Sequence, residues 1–488
     1  MVAVTPSRKV LSPRRIAGGV FGNWGVRLVG IASGVAVAAA LARSLSHADF
    51  GRLSLVLSLV VMAATIGELG LTNAAIRQLS LEPQSDRQVL GALIAARAVT
   101  GVVGAVLVIV VAIAVDGTPQ MRTLAPLLAA TLLLSPLSSW LAVARARLRL
   151  GWVNGLFLLQ SLLWTVFVLL LAARHASLLA YAAAFFVAEV IQSLATWLSL
   201  RSQTRPVLAG TMVRLRQLVK VAWPIAVGGF FVTTYYRIDG VLLYQFKGAI
   251  ANADYSAAYR FLDVLQFLPG ALLLVVLPLL SATWRTDALR GPARRVRVTR
   301  LALTVAMAMS LPVAVGGALL APRLVVLVYG DTYGQAAPLL AILLLAFPSI
   351  SFGYILVGFT LASGRTRLYA ATAACAAVVN VVANILLIPH YGAVAASWIT
   401  VATEFGVSGI LLAVLARTER LSLPWAAWAG SAAATLCMAG AVVALGAAPL
   451  AVAILVPGCV YVVAALTLRA VSRSYIKSIL GRHDLEWL

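Results

Sequence analysis

Residues 223–246 read WPIAVGGFFVTTYYRIDGVLLYQF. The stretch is apolar apart from Arg237 and Asp239, and as a helix it would extend about 36 Å, enough to cross a hydrocarbon layer of about 30 Å. Each charge placed near a bilayer centre costs about 2.5 to 3.5 kcal/mol on insertion scales, so such residues mark either a pathway or a fixed packing pair. Residues two apart on a helix point about 200° apart, so Arg237 and Asp239 cannot neutralise each other. Arg237 shares its face with Thr233, Tyr236, Gly240 and Tyr244, a stripe suited to the wall of a wet cavity. Asp239 must find a partner elsewhere.

Comparable apolar runs recur along the whole chain. Of 488 residues, 62% are hydrophobic and 11% charged, against roughly a quarter charged in soluble domains. About fourteen runs of roughly 20 residues or more are legible, among them 17–42, 217–246, 254–282, 335–362, 368–388, 392–416, 424–445 and 449–469. Unpaired backbone groups are not tolerated in lipid, so the runs are helices. The expectation is an all-α polytopic membrane protein. The first run is too long for a signal peptide and is read as a retained helix. Cys375, Cys437 and Cys459 all fall inside apolar runs, which implies neither a disulfide framework nor a metal cluster.

The net charge of +23 is distributed unevenly. The termini and the loops after even-numbered runs carry 28 of the 38 basic residues, the loops after odd-numbered runs only six: Arg43, Arg52, Arg122, Arg174, Lys247 and Arg323. By the positive-inside rule both termini are expected in the cytoplasm, with the basic loops against anionic headgroups and not nucleic acid.

Four arginines remain inside the runs, Arg27, Arg97, Arg237 and Arg260, together with Glu68, Glu189, Asp239, Asp263 and Glu404. Arg27 and Arg97 lie about 15 Å into their helices, too deep to snorkel easily. On the run after Asp239, residues Tyr255, Tyr259, Asp263, Gln266 and Gly270 form another polar stripe, with Arg260 one turn from Asp263 and able to pair with it. The first run offers Asn23, Arg27, Gly30 and Gly34 on one face, where the glycines serve close packing. Arginine presents a fixed fork of donors matched to phosphate or carboxylate oxygens and stays charged when desolvated, so several in a membrane cavity point to an anionic headgroup.

Internal repetition sets the domain organisation. LSHADFGRLSLV from Leu45 is echoed by NADYSAAYRFLDV from Asn252, with Ala48-Asp49-Phe50 matching Ala253-Asp254-Tyr255 at an offset of 205 positions, each Asp placed to cap a helix. LAVARARLRLGWV from Leu141 is echoed by TLASGRTRLYAA from Thr360. Two pseudo-symmetric six-helix lobes are expected, 1–205 and 206–420, with two further helices over 421–488. Paired repeats of this kind enclose a substrate site and work by rocking.

In order along the chain, YYRIDGVLL, ADYSAAYRFLDVLQFLP, LVYGDTYGQAAPLL, LASGRTRLY and NVVANILLIPHYGAVAASWITVATE resemble the polysaccharide (Wzx-type) flippases of the multidrug/oligosaccharidyl-lipid/polysaccharide (MOP) exporter superfamily, over roughly residues 15 to 420. The resemblance implies a bacterial inner-membrane flippase that moves undecaprenyl-pyrophosphate-linked oligosaccharide units for surface polysaccharide biosynthesis, by alternating access and with a proton or sodium gradient as its energy source. It implies no resident cofactor. It implies lipid-linked oligosaccharide and membrane lipids as partners, and the polymerase and chain-length proteins of such a pathway. Arg237, Asp239 and Arg260 match the family pattern, and Arg27 stands where related lipid flippases keep a cavity arginine. The expected clamp on the pyrophosphate is Arg27, Arg237 and Arg260, with Tyr236, Tyr244 and Tyr259 stacking on sugars. Asp239, Asp263 and Glu404 are the candidates for ion coupling or gating. Arg365 and Gly392 match loop motifs.

Two other classes compete. A multidrug antiporter of the same superfamily would share the fold, but cationic drugs call for acids and aromatics, not arginines. A membrane-embedded polymerase or ligase would carry a long external loop with catalytic residues, whereas the external connections here are short. His47, His175 and His390 are scattered singly, with no HExxH spacing, and no Walker loop occurs.

Overall fold

A computed structural model describes residues 13–68, 70–81, 86–147, 150–207, 211–284 and 291–468 with Ala470, and for 13–24, 26–28, 66, 81, 150, 221–222 and 224–225 the backbone alone. Every regular element among the described residues is helical. The first group comprises α1 (Pro13–Ser44), α2 (His47–Glu68), α3 (Leu71–Leu81), α4 (Asp86–Val115), α5 (Pro119–Ala129), a 3-10 segment Ala130–Ser139, α6 (Trp140–Ala146), α7 (Leu150–Ala172) and α8 (Leu178–Leu200). The second comprises α9 (Thr211–Leu265), α10 (Phe267–Thr283), α11 (Gly291–Tyr329), a short 3-10 turn Asp331–Tyr333, α12 (Ala336–Leu344), α13 (Phe347–Ala362) and α14 (Thr366–Thr418). The chain finishes with α15 (Trp425–Ala444) and α16 (Leu450–Thr467).

Ten of these helices among the described residues are long and apolar enough to cross a membrane, or 11 if the bent pair Ala336–Leu344 and Phe347–Ala362 is one span. The protein is thus a multi-pass membrane protein. The helices do not separate one for one into the runs read from the sequence, and the reason lies in two glycines. Runs 217–246 and 254–282 are joined through α9, which bends at Gly248 (φ 82°). Runs 368–388 and 392–416 are joined in α14, which bends at Gly392 (φ 58°). Positive φ is open to glycine without the Cβ clash that other residues suffer, so each helix turns sharply and resumes with little interruption.

The outer faces are apolar and exposed, as lipid contact requires: Val99, Val102, Val106 and Val110 on α4, and Val378, Val382 and Leu386 on α14. Inside, one buried cluster joins both helix groups at the end that carries the sparsely charged loops, with Phe50, Leu53, Tyr181, Tyr244, Tyr255, Tyr333 and Phe347 among its members. Two smaller clusters lie near the opposite, basic end: one around Leu90, Leu93 and Trp140 of the first group, which also takes in Leu218 at the start of α9, and one around Leu303 and Leu356 of the second group, which takes in Trp428 of α15. Apolar packing therefore ties the groups together most extensively at one end, and at the other the start of α9 packs onto the first group. Asp49 does not cap α2 alone: Ser46 precedes the helix and accepts from Asp49 N at 3.1 Å, while its hydroxyl donates to the Asp49 carboxylate at 2.8 Å.

Candidate functional site

Two adjoining cavities lie between the helix groups. The first, about 230 Å³, is walled by Leu53, Ser54 and Leu57 of α2, by Trp164 and Phe185, and on the other side by Tyr236, Arg237, Asp239, Tyr259, Arg260 and Asp263 of α9. The second, about 570 Å³, continues from it past Trp164, Arg260 and Asp263 to Gly30, Ser33 and Gly34 of α1 and to Gln266, Phe267 and Tyr354. A Cβ built on Gly30 or Gly34 would meet nothing within 4 Å, so α1 stands off from its neighbours along this face. Trp164, on α7, carries no signal in the sequence beyond being an aromatic in an apolar run.

The bend at Gly248 lays the two arms of α9, 211–247 and 249–265, side by side, and this decides which charges meet. Arg237 Nη1 and Nη2 donate to the Asp263 carboxylate at 3.2 Å, across the arms, with the guanidinium 5.8 Å over the Tyr259 ring. The expected pair of Arg260 with Asp263 does not form, because Asp263 is already taken. Arg260 is exposed into both cavities and makes no hydrogen bond or ion pair among the described residues. Asp239 is buried, 1% exposed, and accepts from Gly240 N at 2.7 Å, from Thr400 Oγ1 at 3.3 Å and from the Tyr255 hydroxyl. Its partners are hydroxyls and an amide, not a cation.

Tyr236 and Tyr259 line the first cavity. Tyr244, expected to stack on sugars, lines neither cavity: it is buried and its hydroxyl donates to Asp116 Oδ2 just past the C-terminal end of α4. Glu404 lies behind the cavity wall, 3% exposed, beside the hydroxyls of Tyr235 and Tyr236, with its Oε1 unpartnered among the described residues. The Arg27 side chain lies outside the described residues, although its helix is placed.

The sparsely charged end is closed by polar contacts between the groups. His47 Nε2 meets Asp254 at 3.1 Å, Asn252 Nδ2 donates to Gly51 O at 3.0 Å, and Arg43 donates to the carbonyls of Leu327 and Val328 at 2.5 and 3.1 Å. Arg52 joins Asp49 at 3.0 Å, Asp116 at 3.3 Å and Gln120 at 2.8 Å, and Asp116 in turn receives Tyr244 from the other group. Burial alone would push the Asp116 carboxylate up, but bonds from Tyr244, Thr118 and Arg52 outweigh it and hold the group below the usual 3.8. The repeat motif containing Asp49 and Asp254 marked this place in the sequence, but only as helix starts.

Residues 27–284, more than half of the chain, match the family described as polysaccharide biosynthesis protein. The chain belongs to that family. No match to a curated protein was found. Among solved structures, this polysaccharide biosynthesis family member is similar to the lipid II flippase MurJ in an inward closed conformation, with a TM-score of 0.75 and 13% identity over 96% of this chain and 100% of that one. A multidrug resistance MATE family transporter of the MOP superfamily, inward-facing, gives a TM-score of 0.65 and 14% identity over 82% of this chain and 98% of that one. A MOP superfamily transporter from Pyrococcus furiosus gives 0.60 and 13% over 82% of this chain and 95% of that one. At such identities the likeness is one of fold, the MOP fold; these neighbours are transporters, not enzymes.

Proposed function

We propose that this protein is a flippase that carries an undecaprenyl-pyrophosphate-linked oligosaccharide across the inner membrane by alternating access, for surface polysaccharide biosynthesis. The observation that carries this reading is Arg260. It is a permanently charged group in a cavity between two helix groups, with no carboxylate of its own among the described residues. A cation of this kind calls for an anionic guest, and the guanidinium fork fits phosphate oxygens. Arg237 stands beside it, its charge offset by Asp263 until a stronger anion arrives. The space along Gly30 and Gly34 supplies a side opening past which a prenyl tail stays in lipid while the headgroup sits inside.

In this reading 1–205 and 206–420 act as lobes, the basic loops and both termini are cytoplasmic, and the closed end faces the periplasm. The His47, Arg52 and Asn252 contacts are then the gate that must part for release. Asp263 exchanges Arg237 for a proton or sodium ion as the lobes rock, with Asp239 and Glu404 as further coupling candidates; the switch needs an interaction that differs between the two states. The fold also admits a multidrug antiporter, favoured by the multidrug neighbours. The cavity speaks against it, since Arg260 would repel a cationic drug.

Thermal unfolding of the detergent-purified protein separates the two. A prenyl-pyrophosphate trisaccharide should raise the midpoint saturably in the wild type and much less in Arg260→Ala, because a ligand that binds only the folded state stabilises it. A shift with a cationic dye and none with the pyrophosphate lipid would reverse the assignment.

A further inference from the structure

Inside the first helix group lie two more cavities, each about 320 Å³, that share Glu68, Arg97, Ser138 and Glu189. The nearer one reaches Val61 and Phe185, which also wall the inter-group cavity, so the space runs on from the arginine site into the group. The farther one ends at Arg145, Phe157, Gln160 and Gln192. These volumes fall in the range of about 300–1,000 Å³ typical of small-molecule sites.

The chemistry of this inner space differs from that of the arginine site. It holds two arginines and two glutamates, so its formal charge is balanced. Arg97 is fixed by Thr72 Oγ1 at 2.7 Å, Ser135 O at 3.2 Å and Glu68 at 3.4 Å. Glu189 accepts one bond, from Gln160 Nε2 at 3.0 Å. Arg145 lies over Phe157 at 5.8 Å, and the Glu68 side chain is half exposed to the space. A pyrophosphate would meet Glu68 and Glu189 here; a cation would meet Arg97 and Arg145. A neutral ligand dense in hydroxyl groups meets neither obstacle, because each hydroxyl both donates and accepts. The flat ends of Gln, Glu and Arg offer paired donors or acceptors to neighbouring hydroxyls, and Phe157 and Phe185 offer apolar faces to a sugar ring.

We infer that this inner cavity is the glycan subsite, holding neutral sugars while their pyrophosphate rests on Arg260 and Arg237. The inference rests on the flippase reading. The test compares two fluorescent probes on the full chain in nanodiscs: a prenyl pyrophosphate bearing a neutral trisaccharide, and the same lipid without sugar. Wild type should bind the glycosylated probe at least tenfold more tightly. Gln160→Leu and Gln192→Leu should bring that affinity down to the level of the sugar-free probe, whose own affinity stays unchanged. Gln160→Asn, which retains a shortened amide, gives the same ordering should Gln160→Leu not fold. Equal binding of the two probes to wild type, variants that spare the glycosylated probe, or variants that weaken both alike would overturn the subsite while leaving the flippase reading standing. If wild type binds neither probe, the flippase reading fails and the subsite with it.

Discussion

Arg237 and Arg260 lie on the two arms of one bent helix, yet among the described residues Arg237 pairs with a carboxylate and Arg260 does not. Removing Arg237 leaves Asp263 without its cation, which costs about 1 to 3 kcal/mol. Arg237→Ala should therefore lower the unfolding midpoint, and adding Asp263→Asn should recover most of the loss. Arg260→Ala should leave the midpoint near wild type and instead weaken the pyrophosphate lipid about ten- to a hundredfold, the value of one charge-assisted contact. Equal destabilisation by the two single variants would show that Arg260 is structural. The Asp116 carboxylate adds a pH signature. Its depressed value means that its contribution to the closed end is present above the ordinary 3.8 and is lost as pH falls through its lower folded value. The distance between spin labels placed on the two groups across the closed end should thus stay short down to about pH 4 and lengthen below it, and Asp116→Asn should abolish that change. At this scale the sequence showed that Arg237 and Asp239 face apart, since helical spacing alone decides it. It did not show which carboxylate Arg237 takes, because that depends on how two helical arms lie against each other.

The bends govern the elements. A Cβ at Gly392 (φ 58°, ψ −139°) meets only the Lys247 side chain at 3.9 Å, so the penalty for Gly392→Ala is conformational, about 1–3 kcal/mol. That loss should appear as a lowered unfolding midpoint with the fold intact. Gly51 is a different case: a Cβ there would lie 2.0 Å from Ala249 O on the other helix group. Gly51→Ala should force the closed end apart. With Cys375, Cys437 and Cys459 replaced and Ser256→Cys placed in the central cavity, labelling from the sparsely charged side should rise several-fold; unchanged labelling would mean that this contact does not hold the groups together. Apolar length located the helices, but it treated 217–246 and 254–282 as separate. A glycine that bends a helix and a glycine that ends one look alike in a linear pattern, and only the packing of α9 against α2 and α14 distinguishes them.

Across the whole molecule, the repeat and the charge asymmetry were visible in the sequence because both follow from local motifs and loop composition. The gate was not. His47 with Asp254, and Asp116 with Tyr244, are separated by more than a hundred residues and are joined only by the way the groups close. The same closure creates the cavity into which Arg260 is exposed. The most direct test is leaflet-resolved transport in proteoliposomes, with a fluorescent prenyl-pyrophosphate oligosaccharide, an external quencher and an imposed ion gradient. Labelled lipid should cross faster than in empty liposomes, and Arg260→Ala should slow it at least tenfold. No crossing above the empty-liposome rate, together with expulsion of a small cationic dye, would contradict a lipid-linked glycan as the cargo.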